Sequence, residues 1–595
     1  MKMLRKTSLL LLHLSFAVMI IGGVLTWLTR EEGAVRIAPG QSVSKFVDDR
    51  GRSHDLPVSL TLEKFEVEYY PGGEVPRDYV SHLLVGGRRE VVSMNNILSV
   101  DGYRFLQSSY DSDGATVLSV NHDPYGIFTV YAGYLLFAVS GLWILLSPGG
   151  RFRKLLRKVT AVVALLLTFS GNVHGAGIAG VPREAADSLR SNQVLYNGKV
   201  VTFNTLARDV MLKVHGDVSY RGLTPEQTLT SMRLFPGQWK DQPLIRIKEK
   251  AVCDALGVKG GYASLSDLFD AAGNYRVSSL YFTLPQEHQR AVEDLDEKVG
   301  IILTLYNGEL ITPRPDDVEA LGEGRVKAEL LYNSIPFTKI VFMLLFTGFF
   351  IGMAIQIAGK GRGLFQRAAL AGRLPVAILW AAFALSACCF AFQWYLSCRI
   401  PLGNTYETLQ FVVLTMELIL LLAARGNMLL LSLGLLASGA LALVAHLVAS
   451  NPVVTPLMPV LHSGWLSLHV SLVMMSYAIL AFTFIIALAA LLVPSLAQKL
   501  RALSLCMLYP GVYLLGMGII TGSVWANVSW GQYWSWDPKE TWALVTMLIY
   551  AVPLHARVRF LNKPSAFHIY MLFAILSVAM TYFGVNYLNS LHAYN

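Results

Sequence analysis

The chain has 595 residues, of which 54% are hydrophobic and 15% are charged, whereas an average soluble domain has about 25% charged residues. The formal net charge is +9. The basic residues cluster in short segments between long apolar runs, which is the pattern of a protein that crosses a membrane several times. Nothing resembles a nucleic-acid-binding module, so nucleic acid is excluded as a partner. The five cysteines form no C-x-x-C pair, which argues against a zinc site or a dithiol redox centre.

Apolar runs recur along the chain, and at about 20 residues per crossing they predict about eleven membrane spans. The first four lie near 8–28, 125–146, 159–175 and 340–358, and seven more follow within 374–595. The third run, RKVTAVVALLLTFSGNVHGAG, also has the basic, apolar, small-residue order of a signal peptide. The sequence leaves open whether it is cleaved near Gly175.

Basic loops predict how these spans are oriented. RFRKLLRK after the second span and KGRGLFQRAALAGR after the fourth place their loops in the cytoplasm. Two long polar segments, about 29–123 and 178–335, are therefore expected outside. The first alternates β-forming residues with glycine-rich turns, which predicts a small antiparallel sheet. The second contains the helix-like stretches NTLARDVMLKVH and SLSDLFDAAG. The predicted fold is a polytopic all-α membrane protein with two extracytoplasmic domains, one β-rich and one mixed or helical.

A tryptophan-rich segment, Trp525–Trp542, reads WANVSWGQYWSWDPKETW and holds five of the eleven tryptophans. Aromatic belts at membrane interfaces place one or two aromatic residues at a span end. Here we predict a continuous loop of them on the outer surface. Large apolar faces with polar edges suit stacking on a flat macrocycle. The residues Asp537–Glu540 have the order of a capping box with proline at the first helical position, which predicts a helix start whose dipole favours an anion such as a haem propionate.

Haem iron is usually held by histidine, and histidines in or beside membrane spans favour a functional role because burying an ionisable group is costly. His469 and His592 lie near the predicted outer ends of their spans, at the level of the tryptophan-rich segment. His13 and His555 lie near the predicted cytoplasmic face. Position alone does not rank these against three further histidines near the outer face: His122, His446 and His462.

The tryptophan-rich segment is similar to the WWD signature of haem-handling membrane proteins, and GSVWANVSWGQYWSWDPKETW resembles the CcsA (ResC) branch. Further segments within residues 374–595 carry the same resemblance: RIPLGNTYETLQFVV, PVLHSGWLSLHVSLVMMSYA and TYFGVNYLNSLHAYN. Residues 1–360 resemble CcsB (ResB) through LLHLSFAVMIIGGVL and VNHDPYGIFTVYAGYLLFAVSGLWILL. The whole chain thus resembles a fused CcsB–CcsA cytochrome c synthase of the system II pathway.

This resemblance implies a protein of the bacterial inner membrane that exports haem b and attaches it by thioether bonds to the CxxCH motif of apocytochrome c outside. It implies that His469 and His592 are external ligands of the haem iron. His13 and His555 match the transmembrane pair, whereas the family pattern has no histidine at His462. The expected haem-binding face comprises Trp525, Trp530, Trp534, Trp536 and Asp537. A thiol-reducing protein and membrane lipid are the other expected partners.

Two other functions fit some of the pattern. A haem transporter or chaperone would carry the tryptophan-rich segment without ligase activity, and covalent haem on a co-expressed apocytochrome distinguishes it from a synthase. A membrane cytochrome that exchanges electrons with quinone needs histidine pairs on facing spans rather than such a segment, and a quinone-reduction assay identifies it. An ordinary solute transporter leaves the segment unexplained.

Overall fold

The computed structural model describes residues 2–71, 75–147, 152, 181–270, 272–358, 373–424, 426–449, 457–555 and 557–588. The predicted third span, 159–175, lies outside the described residues. In chain order the helices α1–α18 are Lys2–Thr29, Gly126–Leu146, Arg183–Leu189, Phe203–Val214, Pro225–Leu234, Pro236–Trp239, Lys250–Leu256, Val277–Thr283, Gln289–Asn307, Glu323–Ser334, Phe337–Ala358, Leu374–Ser397, Thr405–Ala423, Met428–Val448, Gly464–Leu492, Ala497–Trp530, Pro538–Ala551 and Pro564–Tyr582. The strands β1–β13 are Glu31–Ile37, Ser42–Asp48, Ser53–Tyr69, Pro76–Val85, Arg88–Val92, Leu98–Val100, Tyr103–Tyr110, Thr116–His122, Gln193–Tyr196, Lys199–Thr202, Ile245–Arg246, Tyr262–Ala263 and Thr312–Pro313.

Nine helices in the described residues are long and apolar enough to cross a membrane: α1, α2, α11–α16 and α18. The chain is therefore a multi-pass membrane protein. The tenth predicted span is the 14-residue helix α17, which is about 21 Å long and falls short of a hydrocarbon core of about 30 Å. By contrast, α16 has 34 residues, or about 50 Å, and extends beyond what a crossing requires.

The segment Glu31–His122 forms one eight-stranded sheet with the strand order β5-β4-β3-β2-β1-β8-β7-β6. Its first and last strands are antiparallel neighbours, with Glu31 paired to His122. The sheet therefore starts where α1 ends and finishes where α2 begins. Its core is a layer of buried aliphatic and aromatic side chains, among them Ile37, Leu60 and Phe105. The predicted β-rich N-terminal region is confirmed.

Glycines let α1 and α2 pack closely as an antiparallel pair. A β-carbon added at Gly126 would lie 1.8 Å from Thr26 Oγ1 and 2.7 Å from the Thr26 backbone nitrogen. One added at Gly133 would lie 2.7 Å from Met19 Cγ. Small residues of this kind are what helix pairs in membranes use to approach one another.

The Gly126→Ala variant is therefore expected to lose about 1–3 kcal/mol of stability, because the clash includes backbone that cannot move aside. Thermal unfolding of the purified protein in detergent measures this loss. Gly300→Ala is the matched control, since Gly300 lies in helix α9 with no atom within 4 Å of an added β-carbon. It should gain about 0.5–1 kcal/mol. Equal stability of the two variants would contradict the packing described for α1 and α2.

The second polar segment contains α3–α10, the three-stranded sheet β10-β9-β13 and the pair β11-β12. It has an apolar core of its own, to which helices and strands both contribute, among them Leu206 of α4 and Val194 of β9. Helix α4 covers the predicted helix over NTLARDVMLKVH except for its last residue, His215, which is the C-cap. The helix predicted over SLSDLFDAAG is wrong, because the described residues of this stretch have only a short 3-10 turn, Ser266–Leu268. The Asp267 carboxylate accepts hydrogen bonds from the backbone N–H of Ser264, and Asp270 accepts one from that of Asn274. Such local bonds compete with helix formation.

The N-terminal and C-terminal halves of the chain meet along α2 and α16. The Tyr513 hydroxyl of α16 donates to the Ala138 carbonyl of α2 at 2.9 Å. Gly141 lies under the Tyr513 ring, where an added β-carbon would be 2.2 Å from a ring carbon. This contact places α16, and the tryptophan-rich segment that follows from its end, beside α1, α2 and the sheet.

Candidate functional site

The prediction of one continuous loop is wrong. The tryptophan-rich segment consists of the end of one helix, a short loop and the start of the next helix. Helix α16 runs on to Trp530, and Gly531 follows it with φ +76°, in the left-handed conformation that glycine adopts at helix ends. Helix α17 begins at Pro538 with Asp537 as its N-cap. The predicted capping box is confirmed, because Asp537 and Glu540 make both of its hydrogen bonds.

Four of the tryptophans form two ring pairs. The centroids of Trp525 and Trp530 are 4.8 Å apart, and Trp525 is only 2% exposed. The rings of Trp534 and Trp536 meet edge to face at 5.8 Å, and Trp536 is 73% exposed. Trp536 also has φ +59°, a strained conformation for a non-glycine residue of the kind found at functional sites. The loop therefore presents the second pair outward from the helix bundle.

This second pair lies on the wall of a cavity of about 1240 Å³ between the two halves of the chain. Ligand pockets are usually about 300–1000 Å³, so the cavity is large enough for a macrocycle. Its walls come from α1, α2, the sheet, α16, the loop and α17. The lining includes Phe16, His54, Gly516, Ser523, Trp534, Trp536 and Leu548.

Polar side chains of the N-terminal half hold the loop in place. Arg104 on β7 donates to the Asn527 side-chain oxygen at 2.9 Å and to the Gly531 carbonyl at 3.0 Å. Its guanidinium thus satisfies a carbonyl that the end of α16 leaves open. The Tyr533 hydroxyl donates to Thr26 Oγ1 of α1 at 2.9 Å. The position of the loop relative to the cavity is therefore set from both halves of the chain.

Arg104→Ala is expected to lower stability by about 2–4 kcal/mol, because buried acceptors lose a charged donor. Cleavage within the loop 531–537 during limited proteolysis should become faster, and the thermal midpoint should fall. Arg36→Ala is the control, since Arg36 is about half exposed and pairs with the exposed Asp111 and Asp113. If both variants are cleaved at the wild-type rate, Arg104 does not position the loop.

The structure brings His13 and His555 together. Their ring centroids are 6.2 Å apart with ring planes at 80°. Two imidazole nitrogens that share one metal lie about 4 Å apart, since each bond is about 2 Å, and the ring centroids lie farther apart than the nitrogens. The observed spacing therefore leaves room for one iron between the rings.

Hydrogen bonds select the same tautomer for both of these rings. His13 Nδ1 lies 2.7 Å from the Leu9 carbonyl and His555 Nδ1 lies 3.0 Å from the Ala551 carbonyl. A carbonyl can only accept, so each Nδ1 carries a proton, and in the neutral imidazole the lone pair is then on Nε2. Histidines that bind metals commonly donate their second N–H to a backbone carbonyl in this way. Both rings thus have the form that a metal requires.

The pair lies just beyond the end of the cavity that is away from the sheet. Phe16, one helical turn from His13 on α1, lines that end. Leu548 of α17 lines it as well, and the chain reaches His555 soon after α17 ends. Helix α1, which carries His13, and helix α17, which ends shortly before His555, therefore also form the cavity wall up to the tryptophans.

His469 packs against a different side of α16. Its Nδ1 lies 2.7 Å from the Gly518 carbonyl, and a β-carbon on Gly522 would be 2.6 Å from that nitrogen. Gly516 and Ser523 line the cavity instead. Because each residue turns a helix by about 100°, these residues are on nearly opposite faces from Gly518 and Gly522. The structure therefore places His469 on the face of α16 that carries Trp525, across the helix from Trp534 and Trp536.

The other predicted outer ligand, His592, lies outside the described residues. The three rival histidines have other contacts. His122 stacks on Tyr103 at 4.2 Å in the sheet. His446 lies 5.5 Å from the ring of Phe342 on α11. His462 is hydrogen-bonded to the Tyr70 hydroxyl. None of the three lines the cavity.

Sequence reasoning missed two residues at this site. Arg104 was one arginine among many in a predicted strand. His54 lies in a hydrophilic hairpin, DDRGRSH, far along the chain from the tryptophans, yet it lines the same cavity as Trp534. No local pattern marks either residue, because each reaches the site only through the folding of the sheet against α16.

Two protein families match the chain. The Cytochrome C assembly protein family matches residues 402–592, and the ResB-like family matches residues 2–146. Protein NrfI of Wolinella succinogenes is 30% identical over 91% of this chain and 71% of its own length. The cytochrome c biogenesis protein CcsA of Synechococcus sp. strain CC9605 is 32% identical over 44% of this chain and 97% of its own length. CcsA of Chlamydomonas reinhardtii is 35% identical over 34% and 63%.

The ResB-like match lies in the N-terminal half of the chain and the Cytochrome C assembly match in the C-terminal half, as the sequence motifs predicted. The similarity to NrfI extends through both halves. The cavity lies where these halves meet, with α1, α2 and the sheet on one side and α16 and α17 on the other. The protein thus has a role in cytochrome c maturation, and the chain belongs to the fused CcsB–CcsA (ResB–ResC) family of cytochrome c biogenesis proteins.

Proposed function

We propose that this protein is a cytochrome c synthase that carries haem from the cytoplasmic side of the membrane to the outer side and attaches it there to the CxxCH motif of apocytochrome c. The observation that carries this proposal is the His13–His555 pair, with ring centroids 6.2 Å apart, at the end of a cavity whose other end is walled by tryptophan. The haem is the cargo of the protein and one substrate of the reaction.

The histidine pair is suited to receive haem on the cytoplasmic side. The basic start of α1, MKMLRK, favours a cytoplasmic location for that end of the helix, and His13 follows about two turns later. Both Nδ1 atoms are held by backbone carbonyls, so the rings are oriented before any ligand arrives. Preorganised imidazoles of this kind bind iron with less loss of side-chain entropy.

The cavity offers a path from that pair to the tryptophan-rich segment. Its α1 and α17 walls are mainly apolar along Phe16, Met19, Ile20, Leu544 and Leu548, which suits the face of a porphyrin. Near the sheet the lining includes Arg30, Arg50 and Arg52, which would pair with the carboxylates of the propionates. The same part of the lining carries the acidic residues Glu31, Glu32, Asp48, Asp49 and Asp123. Trp534 and Trp536 close this end with large aromatic faces.

At the outer side His469 and His592 would hold the iron while apocytochrome c presents its two thiols. Each thioether forms when the S–H bond adds across a vinyl double bond, with sulfur joined to one carbon and the proton to the other. The addition is neutral in electrons, so the thiols must arrive reduced. The five cysteines of the chain are unpaired and include no dithiol motif, so a separate thiol-reducing partner would supply that state.

Co-expression tests the proposal directly. The chain is produced with an apocytochrome c in a host without a maturation system of its own, and covalent haem is detected on the cytochrome after denaturing electrophoresis. A haem-stained cytochrome band is expected, and it should vanish when both cysteines of the CxxCH motif are replaced by serine. Bound haem on this protein without any covalent product would instead identify a transporter or chaperone.

A further inference from the structure

A second, smaller cavity lies where the second polar segment meets the membrane helices. Its volume is about 270 Å³, and its walls come from β10, α4 and α10 on one side and from the end of α12 on the other. Among the described residues it shares no lining residue with the cavity at the tryptophans. Two cationic side chains, Lys199 of β10 and Arg325 of α10, line it together. Positive charge is therefore concentrated in a space away from the proposed haem sites.

The charges of these two cations are not balanced by a carboxylate. Arg325 donates to the Tyr395 carbonyl at 3.3 Å and to the sulfur of Cys398, and neither acceptor carries a full negative charge. Lys199 has no ion pair within the described residues. Burial lowers the pKa of Lys199, and the guanidinium groups of Arg399 and Arg325 lower it further. Lys199 is thus a partly desolvated ammonium group that lies near two other cations.

Of the described lining residues, only Glu329 of α10 is acidic, and its carboxylate is bound elsewhere. Its Oε1 accepts from the Thr202 backbone N–H and from the Thr202 hydroxyl, each at 2.9 Å, and also from the Thr205 hydroxyl. Thr202 is the N-cap of α4. The carboxylate therefore lies at the positive end of a helix dipole, which offsets part of its charge. The cavity keeps an excess of positive charge, which attracts an anionic group.

The cavity lies at the level where membrane helices end. Its wall includes the last turn and the C-cap of the apolar helix α12, and α10 leads into α11 after only two residues. Trp394 and Tyr395, in the last turn of α12, are each 52% exposed, as aromatic residues are at the boundary between hydrocarbon and lipid head groups. The Arg325 guanidinium lies over the Tyr395 ring at 6.0 Å. A phospholipid against the end of α12 thus has its head group beside the cavity.

We propose that this cavity binds the phosphate group of an anionic phospholipid through Lys199 and Arg325. A guanidinium donates two parallel N–H bonds to phosphate oxygens, and an ammonium adds a point charge. Basic pockets beside membrane helices bind anionic head groups in this way. An anionic lipid is favoured over a zwitterionic one because the ammonium group of the latter would meet the same two cations. The bound lipid would tie the second polar segment to the membrane, whether or not the protein is a synthase.

The test uses the full-length protein, freed of lipid in a non-ionic detergent. Native mass spectrometry counts the phosphatidylglycerol or phosphatidylcholine molecules that stay bound, with and without inorganic phosphate as a competitor. The variants are Lys199→Gln, Arg325→Gln, Lys199→Arg and Lys327→Gln. Lys327 is the matched control, since it lies on the same helix as Arg325 but outside the cavity and pairs with Glu323 at 2.9 Å. The thermal midpoint of each variant without lipid reports whether its fold is intact.

We expect the wild type to hold one phosphatidylglycerol molecule that inorganic phosphate does not displace. Lys199→Gln and Arg325→Gln should each weaken this binding at least about tenfold, because each removes a charged donor. Lys199→Arg and Lys327→Gln should bind the lipid as the wild type does. Undiminished binding in both glutamine variants would overturn the proposal. Displacement by an equal concentration of inorganic phosphate would assign the cavity to free phosphate instead, and equally tight binding of phosphatidylcholine would contradict selection for an anionic lipid.

Discussion

Replacing His555 by alanine is expected to reduce the haem bound to the purified protein at least about tenfold. Removing only the hydrogen-bond partner of a metal ligand already lowers metal affinity by about this factor, and loss of the ligand itself should cost at least as much. The physical reason is that the iron site proposed between His13 and His555 would then lack its nitrogen donor on one side. Cytochrome c maturation in the co-expression assay should fall in parallel. Haem content per protein, measured after extraction, gives the first result, and the haem-stained cytochrome band gives the second.

Imidazole in the medium should restore much of the haem in His555→Ala, because a free imidazole fits the space that the side chain leaves. His82→Ala is the control for loss of a histidine elsewhere, and it should retain wild-type haem content. His13→Ala should behave like His555→Ala, since the centroids of the two rings are 6.2 Å apart. Full haem content in either of these two variants would show that the pair does not hold haem.

His469→Ala is expected to abolish covalent attachment while leaving most of the haem bound. This separation follows from the structure, in which His469 packs on Gly518 and Gly522 and lies across α16 from the cavity that leads to His13 and His555. Removal of this proposed ligand should therefore leave the site proposed at His13 and His555 in place. The checks are the haem-stained cytochrome band, which should disappear, and the haem content of the purified protein, which should fall by no more than about half.

A second variant tests the same point without removing the imidazole. Gly522→Val would place methyl groups where the His469 ring now lies, since even a single β-carbon would be 2.6 Å from its Nδ1. It should lose attachment as His469→Ala does. Gly464→Ala, near the start of the same helix as His469 and with no atom within 4 Å of an added β-carbon, should mature cytochrome c normally. Normal maturation in His469→Ala would remove His469 from the mechanism.

Local sequence signals predicted the elements that depend on local energies. The capping box at Asp537 is one example, because a carboxylate, a proline and a glutamate at these spacings satisfy the open N–H groups of a helix start in most contexts. The nine membrane-spanning helices of the described residues are another, since length and hydropathy suffice. The helix end at Gly531 had the same kind of signal. The prediction of a continuous loop did not use this glycine as a helix end, so it missed that α16 continues to Trp530.

The cavity and its charged rim depend on contacts that no segment encodes by itself. His54 lines the same cavity as Trp534 because the sheet packs on the end of α16, where Arg104 binds the Gly531 carbonyl. The approach of His13 to His555 was expected from the family resemblance. The predicted spans had placed both histidines near the same face of the membrane, but they gave no reason for the two rings to lie close together. Distant contacts of this kind require the folded arrangement of both halves of the chain.

The absorption spectrum of the protein purified from haem-replete cells tests the central claim most directly, which is that the imidazoles of His13 and His555 hold one iron between them. A low-spin, six-coordinate haem spectrum is predicted for the wild type, together with its loss in the His13→Ala, His555→Ala double variant. A colourless wild-type preparation, or an identical spectrum from the double variant, would contradict the account.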